Sequence, residues 1–130
     1  MGISVGIGRG YGFILNIEEL QPSVRDFLDQ REYDPDDLYE DSEFVSTMRD
    51  EFPGLRFNFT PAGNYEPTKY LIVVTDSTYN FTWADNLKEE ALLLSSSEET
   101  VDERFDLASL TSSLNILPSA VGWVSWVTVL

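Results

Sequence analysis

The fold of this chain is decided by one stretch near its start, Ile3-Ser4-Val5-Gly6-Ile7-Gly8-Arg9-Gly10-Tyr11-Gly12-Phe13-Ile14-Leu15. Bulky residues occupy the odd positions, and glycines occupy the even positions from Gly6 to Gly12. Because successive side chains of a strand point to opposite faces, this alternation predicts one apolar face and one nearly bare face. A bent hairpin turning at Gly8 to Gly10 and one long strand both fit, and we favour the hairpin.

Three helices are predicted downstream of this stretch. The first begins at Pro22, which suits a first helical position. The second is opened by Asp37 and Glu40, which have the spacing of a capping box, and it runs to about Phe52. The third covers about 97–117 and ends before a proline. Apolar residues line one side of the first two segments. In the third, Val101, Phe105 and Ala108 form one apolar stripe, and Leu107, Leu110, Leu114 and Leu117 form an adjoining one.

The remaining segments predict strands. Alternating aromatics and buried-type apolar runs favour strands over 55–60, 70–75, 79–83 and 121–130. The polar link 76–78 is short enough to join two of them as a hairpin. The segment 121–130 is bulky on both faces, which is typical of an interior strand. Residues 87–97 fit either helix or strand.

These elements predict one α+β domain over 1–130. We expect a mainly antiparallel sheet of about five or six strands with two or three helices packed against it. Of the 130 residues, 42% are hydrophobic and 13% are aromatic, which is enough to bury a core despite the charge.

The net charge of −15 is confined to two segments. Residues 26–51 hold eleven acids and two arginines, a sum of −9, and residues 85–106 hold eight acids and two bases, a sum of −6. The rest of the chain holds four acids and four bases and is neutral. Like charges gathered in this way keep a protein soluble or meet a basic partner. Direct binding to nucleic acid or to a membrane is disfavoured, because phosphates and anionic lipids repel a negative surface.

Several chemistries are excluded by composition. The chain has no histidine and no cysteine, so Ser-His-Asp sites, Cys-His sites and ordinary structural zinc sites cannot form. No pair of carboxylates stands out as catalytic, and we predict neither catalytic residues nor a cofactor or metal. The chain shows neither a secretory signal nor an apolar run that could span a bilayer, so we expect a cytoplasmic protein.

The glycine-rich stretch does not match a nucleotide-binding motif. Starting from Gly6 or Gly8, an aromatic residue stands where the third glycine of a dinucleotide fingerprint should be. We favour close packing as the reason for the glycines. The alternative is a small anionic-ligand site, with an arginine beside bare backbone amides, formed by Gly8, Arg9, Gly10 and Tyr11.

The charge pattern predicts a small acidic module that docks on a basic protein surface. Its most specific form is an inhibitor of a nucleic-acid-binding enzyme that imitates the phosphate backbone, as phage anti-defence proteins and immunity proteins do. The residues assigned to this surface are Asp34, Asp36, Asp37, Glu40, Asp41, Glu43, Asp50 and Glu51. A structural or assembly subunit that uses apolar or strand-edge contacts is the alternative. Mimicry is favoured if the two acidic segments form one face.

Overall fold

The computed structural model describes residues 4–60, 70–83 and 101–129. In chain order, its helices and strands are β1 (Ser4–Asn16), α1 (Pro22–Gln30), α2 (Glu43–Glu51), β2 (Arg56–Thr60), β3 (Tyr70–Trp83), α3 (Val101–Leu114) and β4 (Gly122–Val129). Short 3-10 helices lie at Ile17–Glu19, Pro35–Asp37 and Pro118–Ala120. The ambiguous segment 87–97 lies outside the described residues.

The described strands form a four-stranded sheet in the order β2-β3-β1-β4, and every neighbouring pair is antiparallel. The three helices pack on one face of this sheet. The α+β class is therefore confirmed. The sheet has four strands instead of five or six because each of the two predicted hairpins is a single long strand.

β1 is continuous over 13 residues, so the predicted hairpin at Gly8 to Gly10 is wrong. It pairs with β3 along one side and with β4 along the other, from Val5 opposite Val129 to Gly12 opposite Gly122. A tight hairpin turn requires positive φ, and none of the described glycines has it. Hydrogen bonding to strands on both sides therefore carries β1 straight through its glycines.

β3 is continuous over 14 residues, so the predicted hairpin at 76–78 is also wrong. Its register against β1 shifts once: Arg9 lies opposite Thr78, whereas Tyr11 lies opposite Thr75. Between these pairs β3 advances three residues while β1 advances two, and β3 accommodates the extra residue as a bulge. The polar residues that suggested a turn mark this bulge.

β4 lies at an edge of the described sheet, whereas the sequence predicted an interior strand covered on both sides. Trp126 is buried, whereas Trp123 and Val124 are half-buried and Val127 is 39% exposed. The two faces of β4 therefore have different surroundings. Trp126 packs over the glycines of β1, whereas the face with Trp123 and Val127 is partly open.

The main core lies between the helices and the sheet. It contains Phe13 from β1, aromatic residues of β2, aliphatic residues of β3 and the inner sides of all three helices. Phe44 of α2 makes edge-to-face contacts with Tyr33 and Phe57, with ring centroids 5.6 and 6.4 Å apart. The contact with Phe57 holds α2 against β2, and the contact with Tyr33 holds the preceding acidic loop against α2.

The opposite face of the sheet holds a smaller cluster built over the glycines of β1. Ile72 and Val74 are fully buried there, together with Trp126 of β4. A Cβ atom added to Gly8 would overlap the indole of Trp126, and one added to Gly10 would lie 2.7 Å from Cβ of Val74. Because these glycines have no side chains, the indole of Trp126 on β4 can pack over β1 against Ile72 and Val74 of β3. This arrangement supports the close-packing interpretation.

The first two helices differ in how well their starts were predicted. α1 begins at Pro22, as predicted, but α2 begins at Glu43, later than the predicted opening at Asp37. The hydroxyl of Ser42 accepts a hydrogen bond from the amide of Val45 at 3.4 Å and caps α2. Two capping signals lie close together here, and only the second opens an α-helix.

α3 ends earlier than its predicted limit. Asn115, which follows it, has a φ of 56°, a left-handed conformation that stops the helix and that asparagine tolerates. Leu107, Leu110 and Leu114 are buried, whereas Phe105 is 71% exposed. None of the helices in the described part of the chain has the length and apolar character needed to cross a membrane.

Candidate functional site

The predicted partner surface lies on the segment 26–51. Ten of its eleven carboxylates are exposed, and the remaining one, Asp37, is half-buried. α1 and α2 direct their apolar sides into the core, and this arrangement leaves the acids between and beyond them facing solvent. We call these eleven carboxylates the acidic surface.

One ion pair within the described residues neutralises part of the acidic surface. Arg31 donates from Nη2 to Oε1 of Glu51 at 2.6 Å and from Nε to Oε2 at 3.3 Å. Its guanidinium also lies 3.7 Å from the ring centroid of Phe27. The other cation of the segment, Arg49, is exposed and forms no ion pair with a described residue. Most of the negative charge therefore remains without a cation beside it.

Two residues of the acidic surface have a local structural role. The amide of Asp34 donates a hydrogen bond to Oδ2 of Asp37 at 2.8 Å, and the two residues form the capping box of the 3-10 helix Pro35–Asp37. Replacing either would change the charge and the local backbone together. They are therefore poor positions at which to test partner binding.

The predicted partner residues other than this capping pair and Glu51 are exposed, and their side chains make no hydrogen bond to the described residues. They are Asp36, Glu40, Asp41, Glu43 and Asp50. Asp41 has a φ of 61°, a left-handed conformation that aspartate and asparagine adopt more readily than most residues. This bend directly precedes Ser42, the cap of α2. These five carboxylates are free to meet another molecule.

The turn after α2 contacts the start of α3. The amide of Gly54 donates a hydrogen bond to Oδ2 of Asp106 at 2.7 Å, and a Cβ on Gly54 would lie 2.9 Å from Cα of Glu103. Both acids belong to the start of α3, which is the described part of the second acidic segment. The turn after α2 therefore packs against the start of α3. Residues 85–100 lie outside the described part of the chain.

The four residues of the alternative anion site do not share one face of β1. Positions corresponding to the side chains of Gly8 and Gly10 are filled by Trp126 and Val74. Arg9 instead donates from Nη1 to the hydroxyl of Ser125 at 2.9 Å on the other face. The Arg9 side chain and the bare side of the glycines therefore lie on opposite faces of β1, and anion binding by these four residues stays a prediction.

The structure also contains a cluster of two arginines and two aromatics that the sequence reasoning missed. Arg9 lies 5.7 Å from the ring centroid of Trp123, and Arg104 lies 5.6 Å from that of Tyr11. Tyr11 and Trp123 pack edge to face at 5.6 Å. The cluster borders a surface groove of about 310 Å³ between α3, Tyr11 and the approach to β4. Alternation places Arg9 and Tyr11 on one face, but only strand pairing brings Trp123 to them.

The chemistry of the acidic surface is that of fixed charge. Within the described ranges, no group of three His, Cys, Asp or Glu residues could hold a metal ion. Exposed carboxylates lack the low-dielectric surroundings that prepare a general acid or base. What this surface offers to another molecule is therefore a negative electrostatic field.

Comparisons with known proteins found no match. No family model matches the chain, and neither a curated protein nor a solved structure matches it. The function has to be argued from the surface itself, since a fold class alone does not imply one.

Proposed function

We propose that this protein is an acidic binding module whose acidic surface docks on a basic surface of another protein. The observation that carries the proposal is that ten of the eleven carboxylates in 26–51 are exposed, while the described residues supply one ion pair to them. Carboxylates within a Debye length of one another, about 8 Å at physiological ionic strength, repel and oppose compact folding. A basic partner converts this repulsion into attraction and steers the approach of the two molecules.

The more specific form of the proposal is an inhibitor that occupies the nucleic-acid site of a basic enzyme. What supports this form is the contact of Gly54 with Asp106 and Glu103, which brings the end of the first acidic segment next to the start of α3. A nucleic-acid-binding cleft is basic over several phosphates, so an extended row of carboxylates suits it better than an isolated pair. In this form, DNA or RNA competes with the module for the partner.

The test uses two variants that lose the same charge at different places. Asp36→Asn/Asp41→Asn changes two exposed carboxylates of the acidic surface, and asparagine tolerates the left-handed φ at position 41. Glu18→Gln/Glu19→Gln is the matched control, because both residues are exposed and lie outside the two acidic segments. Partners are captured from cell extract on the immobilised wild-type protein, identified and purified.

The affinity of the purified partner for each variant is then measured at low and high sodium chloride. We expect a basic partner whose affinity falls with salt, and falls roughly tenfold or more in Asp36→Asn/Asp41→Asn, while the control stays near wild type. Equal affinities of the two variants, or affinity independent of salt, would rule out docking through the acidic surface. Failure of DNA and RNA to compete would remove the mimicry form alone.

A further inference from the structure

β4 forms one edge of the described sheet, and its sequence is uncharged. Gly122–Val129 contains neither a charged residue nor a proline, and among the described strands it pairs with β1 alone. An edge strand offers unpaired amide and carbonyl groups, and proteins commonly protect such edges with charges, proline or a covering element. Ser125 and Val127 on this strand are exposed. β4 therefore has the composition of a strand that pairs with another strand.

The distribution of charge indicates which strand could approach. α2 runs through the turn at Gly54 into β2, so the end of the acidic segment adjoins the edge opposite to β4. Three inter-strand spacings separate the two edges, about 14 Å, which exceeds the Debye length of about 8 Å at physiological ionic strength. Arg9 is hydrogen-bonded to Ser125 of β4. Two copies of this acidic chain therefore meet less repulsion from the α2 carboxylates at the β4 edge than at the β2 edge.

We propose that β4 pairs antiparallel with β4 of a second copy, with the two-fold axis at Ser125. In this register Trp123 lies opposite the partner's Val127, and Val124 lies opposite the partner's Trp126. Each tryptophan then meets a valine on its own face of the sheet, a favourable kind of cross-strand pair, and no charged residues face each other. The contact is isologous and closes as a two-fold dimer with one sheet continuous across both subunits.

The dimer and docking through the acidic surface should respond to salt in opposite directions. Screening weakens attraction between the acidic surface and a basic partner, but it also reduces the repulsion between two chains of net charge −15. Sodium chloride should therefore strengthen the dimer and weaken partner binding. The dimer does not depend on the proposed function, and Asp36→Asn/Asp41→Asn should leave the β4 contact intact.

The first test is sedimentation of the full chain from low-micromolar to several hundred micromolar concentration. We expect a wild-type monomer–dimer equilibrium, which Val127→Lys weakens roughly tenfold or more by placing a charge against the partner's Trp123. Val127→Thr, which remains β-branched and uncharged, should still dimerise. A wild type that is monomeric throughout, or a folded Val127→Lys that dimerises like wild type, would overturn the proposal.

A second test remains decisive even if Val127→Lys does not fold. The chain has no cysteine, so single-cysteine variants report one position each. Ser125→Cys should oxidise to a disulfide-linked dimer, because the proposed axis places the two sulfur atoms opposite each other. Ser46→Cys, at an exposed position on α2, is the control and should remain monomeric. Equal cross-linking of the two variants would contradict the β4 contact.

Discussion

The glycines of β1 and β4 differ in what surrounds them, although composition alone makes them look alike. A Cβ on Gly12 would overlap the carbonyl oxygen of Val73, a backbone atom that cannot move unless β3 moves. On Gly8 it would overlap the indole of Trp126. At Gly122 nothing lies within 4 Å of the same hypothetical atom. Absence of a side chain is thus needed for packing in β1, whereas Gly122 has room.

We predict that alanine destabilises the protein at Gly8 and Gly12 but has little effect on stability at Gly122. Gly8→Ala should lower the free energy of unfolding by about 1–3 kcal/mol, as overpacking does, and Gly12→Ala should cost at least as much because its obstacle is backbone. Gly122→Ala should stay within about 0.5 kcal/mol of wild type. Urea denaturation followed by circular dichroism measures all three. Similar losses at Gly12 and Gly122 would show that crowding is not the reason for the glycine row.

At the scale of the element, β4 combines a structural face with an exposed face. Trp126 is 8% exposed and covers the glycines of β1 together with Val74. Trp123, on the other face, is half-buried beside Tyr11 and Arg9. The two tryptophans are three positions apart in one strand, yet only Trp126 belongs to a buried cluster.

This division predicts unequal effects of removing the two indoles. Trp126→Ala should destabilise the protein by about 3–5 kcal/mol, because it opens a cavity over the glycines of β1. Trp123→Ala should cost less, on the order of 1–2 kcal/mol, since part of that ring is already exposed. Thermal melts of the two variants give the comparison. A larger loss for Trp123→Ala would reverse our assignment of the two faces.

For the whole molecule, the dominant feature is charge that its own cations do not neutralise. The described residues place one ion pair on the acidic surface, at Arg31 and Glu51, and both side chains are partly exposed, which limits its contribution to stability. The net charge of −15 therefore acts against compactness. The hydrophobic core beneath the helices has to offset this repulsion.

Stability should accordingly rise with ionic strength. Between low salt and 1 M sodium chloride the Debye length falls to about 3 Å, so self-repulsion is screened and the melting temperature should increase by a few degrees. The melting temperature should be measured in the Val127→Lys variant, because dimer formation then does not add to its change with salt. Asp36→Asn/Asp41→Asn in that background should melt higher at low salt and respond less to salt. A melting temperature that is flat or falls with chloride would contradict this account.

The helices and the acidic surface could be predicted because they depend on local pattern. Pro22 marks the start of α1, and the apolar spacing of the segments identifies which sides face the core. The exposure of the carboxylates follows from the same spacing, since the charged positions are the remaining ones. The start of α2 could not be read in the same way, because Asp37 and Ser42 both offer capping signals and packing selects between them.

The α+β class, the amphipathic character of α1 and α2, the position of the charge and the absence of histidine and cysteine chemistry can all be predicted from the sequence alone. Three features follow from the tertiary structure alone: β1 and β3 run through their apparent turns, β4 lies at an edge of the described sheet, and Arg9 contacts Trp123. The physical reason is the range of the forces involved. Side-chain periodicity reports which face a residue takes, whereas strand order and register are set by hydrogen bonds and packing between segments far apart in the chain.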